Sequence, residues 1–367
     1  MKRLSLCHLG YCVGAGKTSR VCALMVLVIF FQSGSVSAEE SRPTGAKYSL
    51  VDHTRIVGEN YFTVLNEDKP LLDVAKEHGV GYEEIRAANP DVSIWMPGVG
   101  TAIRIPARHI LPATPQEGIV INLAELRLYY YPPTGENEMP IVETYPIGIG
   151  RDGFNTPLGV TKTTMRLEDP AWYPPSSMRE EAAQRGDPPP AVVPPGPDNP
   201  LGSHAILLDI PGYLIHGTNQ PDGIGMRASR GCIRMHPEDI ENLFERIPDG
   251  TQVNVINEPF KAAWDEGQLY VQVFPPSSGS EDELGRLVDP LETLGNVMKE
   301  SVELDHAHVQ KLIMQADGNI HRIFPHSEEM KNRETSILVS IYDELETMPQ
   351  GFYPYTEKGE AWKSPKN

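Results

Sequence analysis

Two side chains in this 367-residue sequence have the types and spacing for acyl transfer. They are His216 and Cys232, within IHGTNQPDGIGMRASRGCIRM at 215–235. A thiol attacks as thiolate, and a free cysteine is only a few per cent thiolate at neutral pH, so it needs a base or a positive charge beside it. His216 closes the apolar run YLIH and Gly217 follows it, which sets the ring at a strand end, facing a cleft. The stretch between the two residues is loop-like and long enough to fold back. Gly231 has no side chain, so the Gly231 and Cys232 amides can point at a substrate oxygen and form an oxyanion hole, worth about 3 kcal/mol per donor. Ser229 can fix the loop by hydrogen bonding, and Arg234 can meet a substrate carboxylate. His236 is a rival base, but it stands at the start of a helix, where the dipole disfavours an imidazolium. His204 opens a buried strand and reads as structural. The residues alone leave a plainer reading open, in which Cys232 is a small buried hydrophobe and His216 a structural ring.

The N-terminus decides how many cysteines matter. Lys2, Arg3, Lys17 and Arg20 precede an apolar run from Val21 to Phe31, and small residues from Gly34 to Ala38 follow. This reads as a secretory signal over 1–38, cleaved after Ala38. The run is shorter than the roughly 20 residues that span a bilayer, so no transmembrane anchor is expected after cleavage. Three of the four cysteines, Cys7, Cys12 and Cys22, leave with that segment. A lone thiol in an oxidising compartment suggests intermolecular pairing or reactive use. GAGKTS resembles a phosphate-binding loop, but Tyr11 stands where its first glycine belongs. The net charge of −18 argues against binding nucleic acid or anionic lipid through bulk charge. His306 and His308 do not share a helix face, and no metal site is expected.

The remaining chain divides by pattern. Residues 39–59 lack strong periodicity and read as a linker or leading strand. Residues 60–106 read as β-α-α-β: NYFTV, PLLDVAKEHG, YEEIRAANP and GTAIRIP, with Pro70 opening the first helix and Gly79 closing it. Residues 118–257 are rich in short apolar or alternating runs bounded by turn residues, which predicts a mainly β domain, sandwich or barrel-like. One helix is clear within it, HPEDIENLFERI, with Pro237 first and apolar Ile240, Leu243, Phe244 and Ile247. Prolines crowd between Asp169 and Pro200, which predicts a long loop wrapping the sheet. Residues 258–280 offer one more strand. Residues 281–367 read as an acidic, partly helical extension, with Leu284, Leu287, Leu291 and Leu294 on one stripe and a further helix near 335–347.

HGT followed by SRGCIRM resembles the L,D-transpeptidase family, whose YkuD-type catalytic domain carries such a pair of motifs. The resemblance extends over about 118–257 through TPLGV, DPAWYPP and PPGPDNPLG, and EPFKAAWDEGQLYVQV resembles the tail of a Gram-negative branch. The 60–106 unit resembles a LysM domain, although NEDKP departs from the usual exit of its first strand. The resemblance implies a periplasmic enzyme without metal or organic cofactor. Cys232 attacks the diaminopimelate carbonyl of a tetrapeptide stem and releases D-alanine, while His216, oriented by a backbone carbonyl at Gly217, moves the proton. It further implies three acceptors: a second diaminopimelate, the C-terminal lysine of a Braun-type lipoprotein, or water. An L,D-carboxypeptidase or lipoprotein-releasing amidase using the same site is the nearest alternative. A non-catalytic peptidoglycan-binding module, holding glycan through the LysM-like unit, is the alternative of another class. Family members are typically acylated by carbapenems.

Overall fold

The computed structural model describes residues 45–324, apart from 52–53, 137, 152, 155, 189, 276–284 and 299–303. The expected signal segment and the expected helix near 335–347 lie outside the described residues.

Within the stretch read as a linker or leading strand lie two strands, β1 (Ala46–Ser49) and β2 (Ile56–Val57). Both are too short for their alternation to stand out in sequence. The β-α-α-β segment follows as β3 (Tyr61–Val64), α1 (Leu71–Glu77), α2 (Tyr82–Ala88) and β4 (Ala102–Ile105), with β3 and β4 antiparallel. Leu71, Val74, Ile85, Ile103 and Ile105 fill its core. Gly79 takes φ +65°, which lets the Gly79 and Val80 amides reach back to the Lys76 and Ala75 carbonyls and end α1.

β5 (His109–Ile110) pairs with β2. The next strands are β6 (Gly118–Asn122), β7 (Arg127–Tyr131), β8 (Ile141–Pro146), β9 (Ile149–Gly150) and β10 (Gly159–Glu168). After helix α3 (Ser176–Gln184) come β11 (His204–Leu208), β12 (Leu214–His216), β13 (Arg227–Ser229) and β14 (Ile233–Arg234), then α4 (Pro237–Arg246) and β15 (Gln252–Ile256). Nine of the strands form one mixed sheet in the order β1-β8-β7-β6-β15-β10-β11-β12-β14. The fold is mainly β. β7 is buried along its whole length, because both faces of the sheet are covered there. α4 lays Ile240 and Leu243 onto the core formed by Ile206, Ile215 and Ile233.

Within this sheet two strand pairs, β6/β15 and β12/β14, are parallel. Parallel neighbours cannot be joined by a hairpin and need a crossover of a dozen residues or more. Between β12 and β14 that crossover is residues 217–232, the stretch that carries the candidate chemistry.

The proline-rich segment is not all loop. α3 lies inside it, and a bridge between Trp172 and Val193 closes its neck. Buried Asn199 ties that neck by donating to the Pro170 and Pro194 carbonyls at 2.7 and 3.1 Å. Beyond β15 the chain forms a further small module. β16 (Phe260–Asp265), β17 (Gln268–Val273) and β18 (Ile320–Phe324) make an antiparallel sheet, covered by α5 (Gly285–Val297) and α6 (His306–Gln315). The boundary expected at 280 thus falls inside one packed unit, and the expected helical extension also contributes a strand. Leu294 is buried in that unit, whereas Leu291, expected on the same stripe, is exposed beside Pro290.

Candidate active site

His216 ends β12, and Cys232 leads into β14, the neighbouring strand. β12 and β14 run parallel, with Ile215 opposite Ile233 and His216 opposite Arg234. Cys232 immediately precedes β14, so it lies diagonally across from His216. Arg234 is the charge that acts on both. β14 is held on its other side as well, by paired backbone bonds between Gly148 and Arg234 at 2.9 and 2.8 Å.

The turn before Cys232 is fixed from several directions. The Ser229 hydroxyl donates to the Cys232 carbonyl at 2.7 Å and accepts from the Gly231 amide at 3.2 Å. Thr156 donates to the Gly231 carbonyl at 2.7 Å. Gly231 takes φ +108°, which ordinary side chains rarely adopt. Gly150 packs against it so closely that a Cβ there would lie 2.9 Å from the Gly231 nitrogen. This corrects one expectation. The Gly231 amide is turned toward Ser229 and is not open for an oxyanion, whereas the Cys232 amide donates to no backbone carbonyl among the described residues.

Both reactive groups are neutral at rest. Burial pushes the Cys232 thiol up, against the backbone at Leu214 and the Arg234 charge, which favour the thiolate. The thiol sits 3.6 Å from the Gly212 carbonyl. Burial and Arg234 together bring the His216 imidazole down to about 4, opposed by the backbone of Gly217 and Leu201. Those two groups stand beside the ring, yet buried Nδ1 makes no hydrogen bond of ordinary geometry. The backbone at Gly217, expected to orient the imidazole, is one of the two groups that favour its charged form. The Arg234 guanidinium is partly buried, its Nε has no hydrogen-bond partner, and it forms no ion pair among the described residues. A cation left in this condition is suited to an incoming carboxylate.

α3 reaches the same turn. Glu181 grips Arg230 with two bonds at 2.6 and 3.2 Å, and the Arg230 and Arg151 guanidinium carbons stand 4.8 and 5.0 Å from the centre of the Phe154 ring. The other two histidines considered are close by and take structural places. His204 stacks edge-on against Phe244 at 4.6 Å, and His236 is the buried N-cap residue of α4. No group of three metal-binding side chains forms among the described residues. A cleft of about 490 Å³ bordered by Tyr130, Thr134 and Asp249 includes neither Cys232 nor His216, so size alone does not locate the site. Thr156, Gly148 and Glu181 escaped the sequence reading. Only Thr156 left a signal, standing inside the TPLGV stretch that shares the resemblance.

Comparison with known proteins gives the family. Residues 116–255 match the family model of the L,D-transpeptidase catalytic domain, YkuD. The chain is 42% identical over 286 residues to the probable L,D-transpeptidase YcfS of Escherichia coli K12, covering 74% of this chain and 88% of that one. It is 44% identical over 246 residues to the probable L,D-transpeptidase YbiS of the same organism, covering 66% and 79%. Among solved structures, the NMR structure of the catalytic domain from the E. faecium L,D-transpeptidase is similar with a TM-score of 0.29 and 22% identity, over 40% of this chain and 100% of that one.

Proposed function

Since this chain belongs to the L,D-transpeptidase family and is an enzyme of that activity acting on peptidoglycan, we propose that Cys232 is its nucleophile and His216 its proton acceptor and donor. The observation that carries the assignment is the register of β12 and β14, which sets a neutral imidazole and an unpaired guanidinium around a single thiol. His216 takes the thiol proton as sulfur attacks the carbonyl of diaminopimelate in a tetrapeptide stem. The Cys232 amide faces the developing oxyanion. As the tetrahedral adduct collapses, His216 returns the proton to the leaving D-alanine amine, which leaves a thioester. An acceptor amine then attacks the thioester and gives its proton to His216, and the departing thiolate recovers it. The acceptor amine belongs to a second diaminopimelate or to the C-terminal lysine of a Braun-type lipoprotein. Arg234 holds a substrate carboxylate, and Ser229 keeps the turn in shape.

The enzyme works in the periplasm, reached through the 1–38 segment. Among the described residues, no helix is long and apolar enough to cross a membrane. The LysM-like unit contacts the glycan, and exposed Trp95 in its loop before β4 offers an aromatic face to a sugar ring.

Mass spectrometry of the protein incubated with tetrapeptide muropeptides, with and without a lipoprotein C-terminal peptide, tests the reading. Cross-linked dimers or a lysine adduct support it. Tripeptide alone would make the enzyme a hydrolase, and unchanged substrate with unmodified Cys232 would leave a binding module.

The imidazole also sets a pH limit. His216 is a base only when neutral, and its folded value lies near 4 rather than 6.5. D-alanine release should therefore persist as pH falls through 6 and be lost only toward pH 4. The same depressed value makes stability decline as pH falls from 6.5 through 4, since the unfolded chain takes that proton first. His216→Gln should lower turnover far more at neutral pH than at high pH, where thiolate forms without help. Equal losses at both would exclude the base role.

A further inference from the structure

The β-α-α-β unit docks on the crossover that joins His216 to Cys232. Gly81, at the head of α2, and Gly225, inside the crossover, meet backbone to backbone. A Cβ on Gly225 would fall 2.2 Å from the Tyr82 nitrogen and 2.5 Å from the Gly81 Cα, at a φ of +78° that already disfavours any side chain. The Glu83 amide donates to the Gly225 carbonyl at 3.3 Å. Ile224 is buried at this junction, which Leu72, Ala75 and Val80 also line. Beside it, Glu84 forks onto Arg127 at 2.6 and 3.1 Å and accepts the Gly81 amide through the same carboxylate. Arg127 opens β7 and is 1% exposed, so this ion pair fastens the unit to the third strand of the large sheet.

The crossover touches the reactive site as well. The Gly225 amide donates to the Ile147 carbonyl and the Ile149 amide to the Met226 carbonyl, both at 3.1 Å. The Arg234 Nη1 lies 3.9 Å from where Gly223 would carry a Cβ. Gly148 fills the space between them: it exchanges backbone bonds with Arg234, and a Cβ on it would fall 2.8 Å from the Gly223 oxygen. α2, residues 223–226, Gly148 and Arg234 thus form a chain of contacts, with no slack between backbone and backbone at its first contact. A loop of this length held only at its ends would be free to drift, and a displacement of about 1 Å at a reacting centre can cost as much as a hundredfold in rate.

We propose that the β-α-α-β unit is a clamp on the catalytic crossover, in which Glu84 and Gly225 are positioning residues that set Arg234 and, through it, Cys232. The inference rests on Cys232 being the nucleophile. It gives the unit a part in the reaction on substrates too short to reach its own surface, beyond any hold on the polymer.

The test uses the full chain with Glu84→Gln, Gly225→Ala and, as a control, Lys69→Met. The last removes an ion pair whose partners, Glu67 and Glu77, lie within the unit. Three quantities are read: kcat and KM on a disaccharide-tetrapeptide, and the pH midpoint of Cys232 alkylation by iodoacetamide. Glu84→Gln should lower kcat about tenfold while KM stays within about twofold. The alkylation midpoint should rise, because Arg234, the charged group acting on the thiol, favours the thiolate where it now stands. Gly225→Ala should do the same more strongly, and Lys69→Met should move neither quantity. Folded Glu84→Gln and Gly225→Ala proteins with the wild-type kcat and midpoint would overturn the proposal. So would equal losses in all three variants that track their melting temperatures. If Gly225→Ala does not fold, Glu84→Gln decides. Failure of the nucleophile assignment looks different: fully alkylated wild-type protein would still release D-alanine.

Discussion

Cys232→Ala is expected to abolish D-alanine release, by on the order of 10⁶-fold, and to leave the melting curve nearly unchanged. The first figure is the scale on which removing a covalent nucleophile acts when base and nucleophile work as a unit. The second follows from the resting state of the thiol. Burial favours its neutral form, and its polar contacts are with backbone only, at Leu214 and, at 3.6 Å, the Gly212 carbonyl. The turn itself is held by Ser229, Thr156 and Gly150, none of which needs the sulfur. Calorimetry and a D-alanine assay on the same preparation separate the two effects. Release at the wild-type rate from a folded Cys232→Ala protein would remove Cys232 from the mechanism.

Lys261→Met is expected to be the most damaging single change to stability, at about 3–5 kcal/mol. Lys261 and Glu125 are both fully enclosed, with Nζ 2.8 Å from the carboxylate. Burial works against the Glu125 carboxylate, but Lys261, His109 and Arg127 overcome it and hold the group well below the usual carboxylate range. Tyr129 donates to it at 2.6 Å and Asn122 at 3.2 Å. Methionine fills the lysine volume and strands the charge. Lys261 belongs to β16, and Glu125 lies in the turn between β6 and β7, so the same pair joins the C-terminal module to the large sheet. Thermal unfolding of Lys261→Met and of Lys261→Met/Glu125→Gln tests the account. The double variant should recover most of the loss, because no uncompensated charge remains. Equal destabilisation in both would mean that shape, not charge, matters there. Acid should weaken the same joint, since stability from a depressed carboxylate is present above its unfolded value and lost as pH falls below it.

What could be read from sequence depended on whether the signal was local. α4 was legible because three local rules agree in PEDIENLFER: proline first, acids in the first turn, apolar residues on one face. The family was legible because HGT and SRGCIRM stand together in one short stretch, and the roles proposed for His216 and Cys232 start from that resemblance. Pairing partners were not. Nothing within AKYS says that it lies against β8, almost a hundred residues away. α3 was hidden because the prolines on either side dominate the reading, although SSMREEAAQ is composed largely of good helix formers. The Gly231 amide seemed open because glycine lacks a side chain. The backbone angle and a hydroxyl two residues earlier decide where that amide points, and neither is a property of composition.

The uncharged resting pair has a consequence outside the catalytic cycle. Peroxides and disulfides react with thiolates, and the ladder from sulfenic to sulfonic acid begins there. A cysteine protease that stores its nucleophile as an ion pair is open to that chemistry whenever it waits. Here burial keeps the proton on Cys232, and the imidazole is too weak a base to remove it unaided. On the mechanism proposed above, the thiolate forms only as the sulfur attacks a bound substrate, so a resting Cys232 should oxidise more slowly than a thiolate stored as an ion pair.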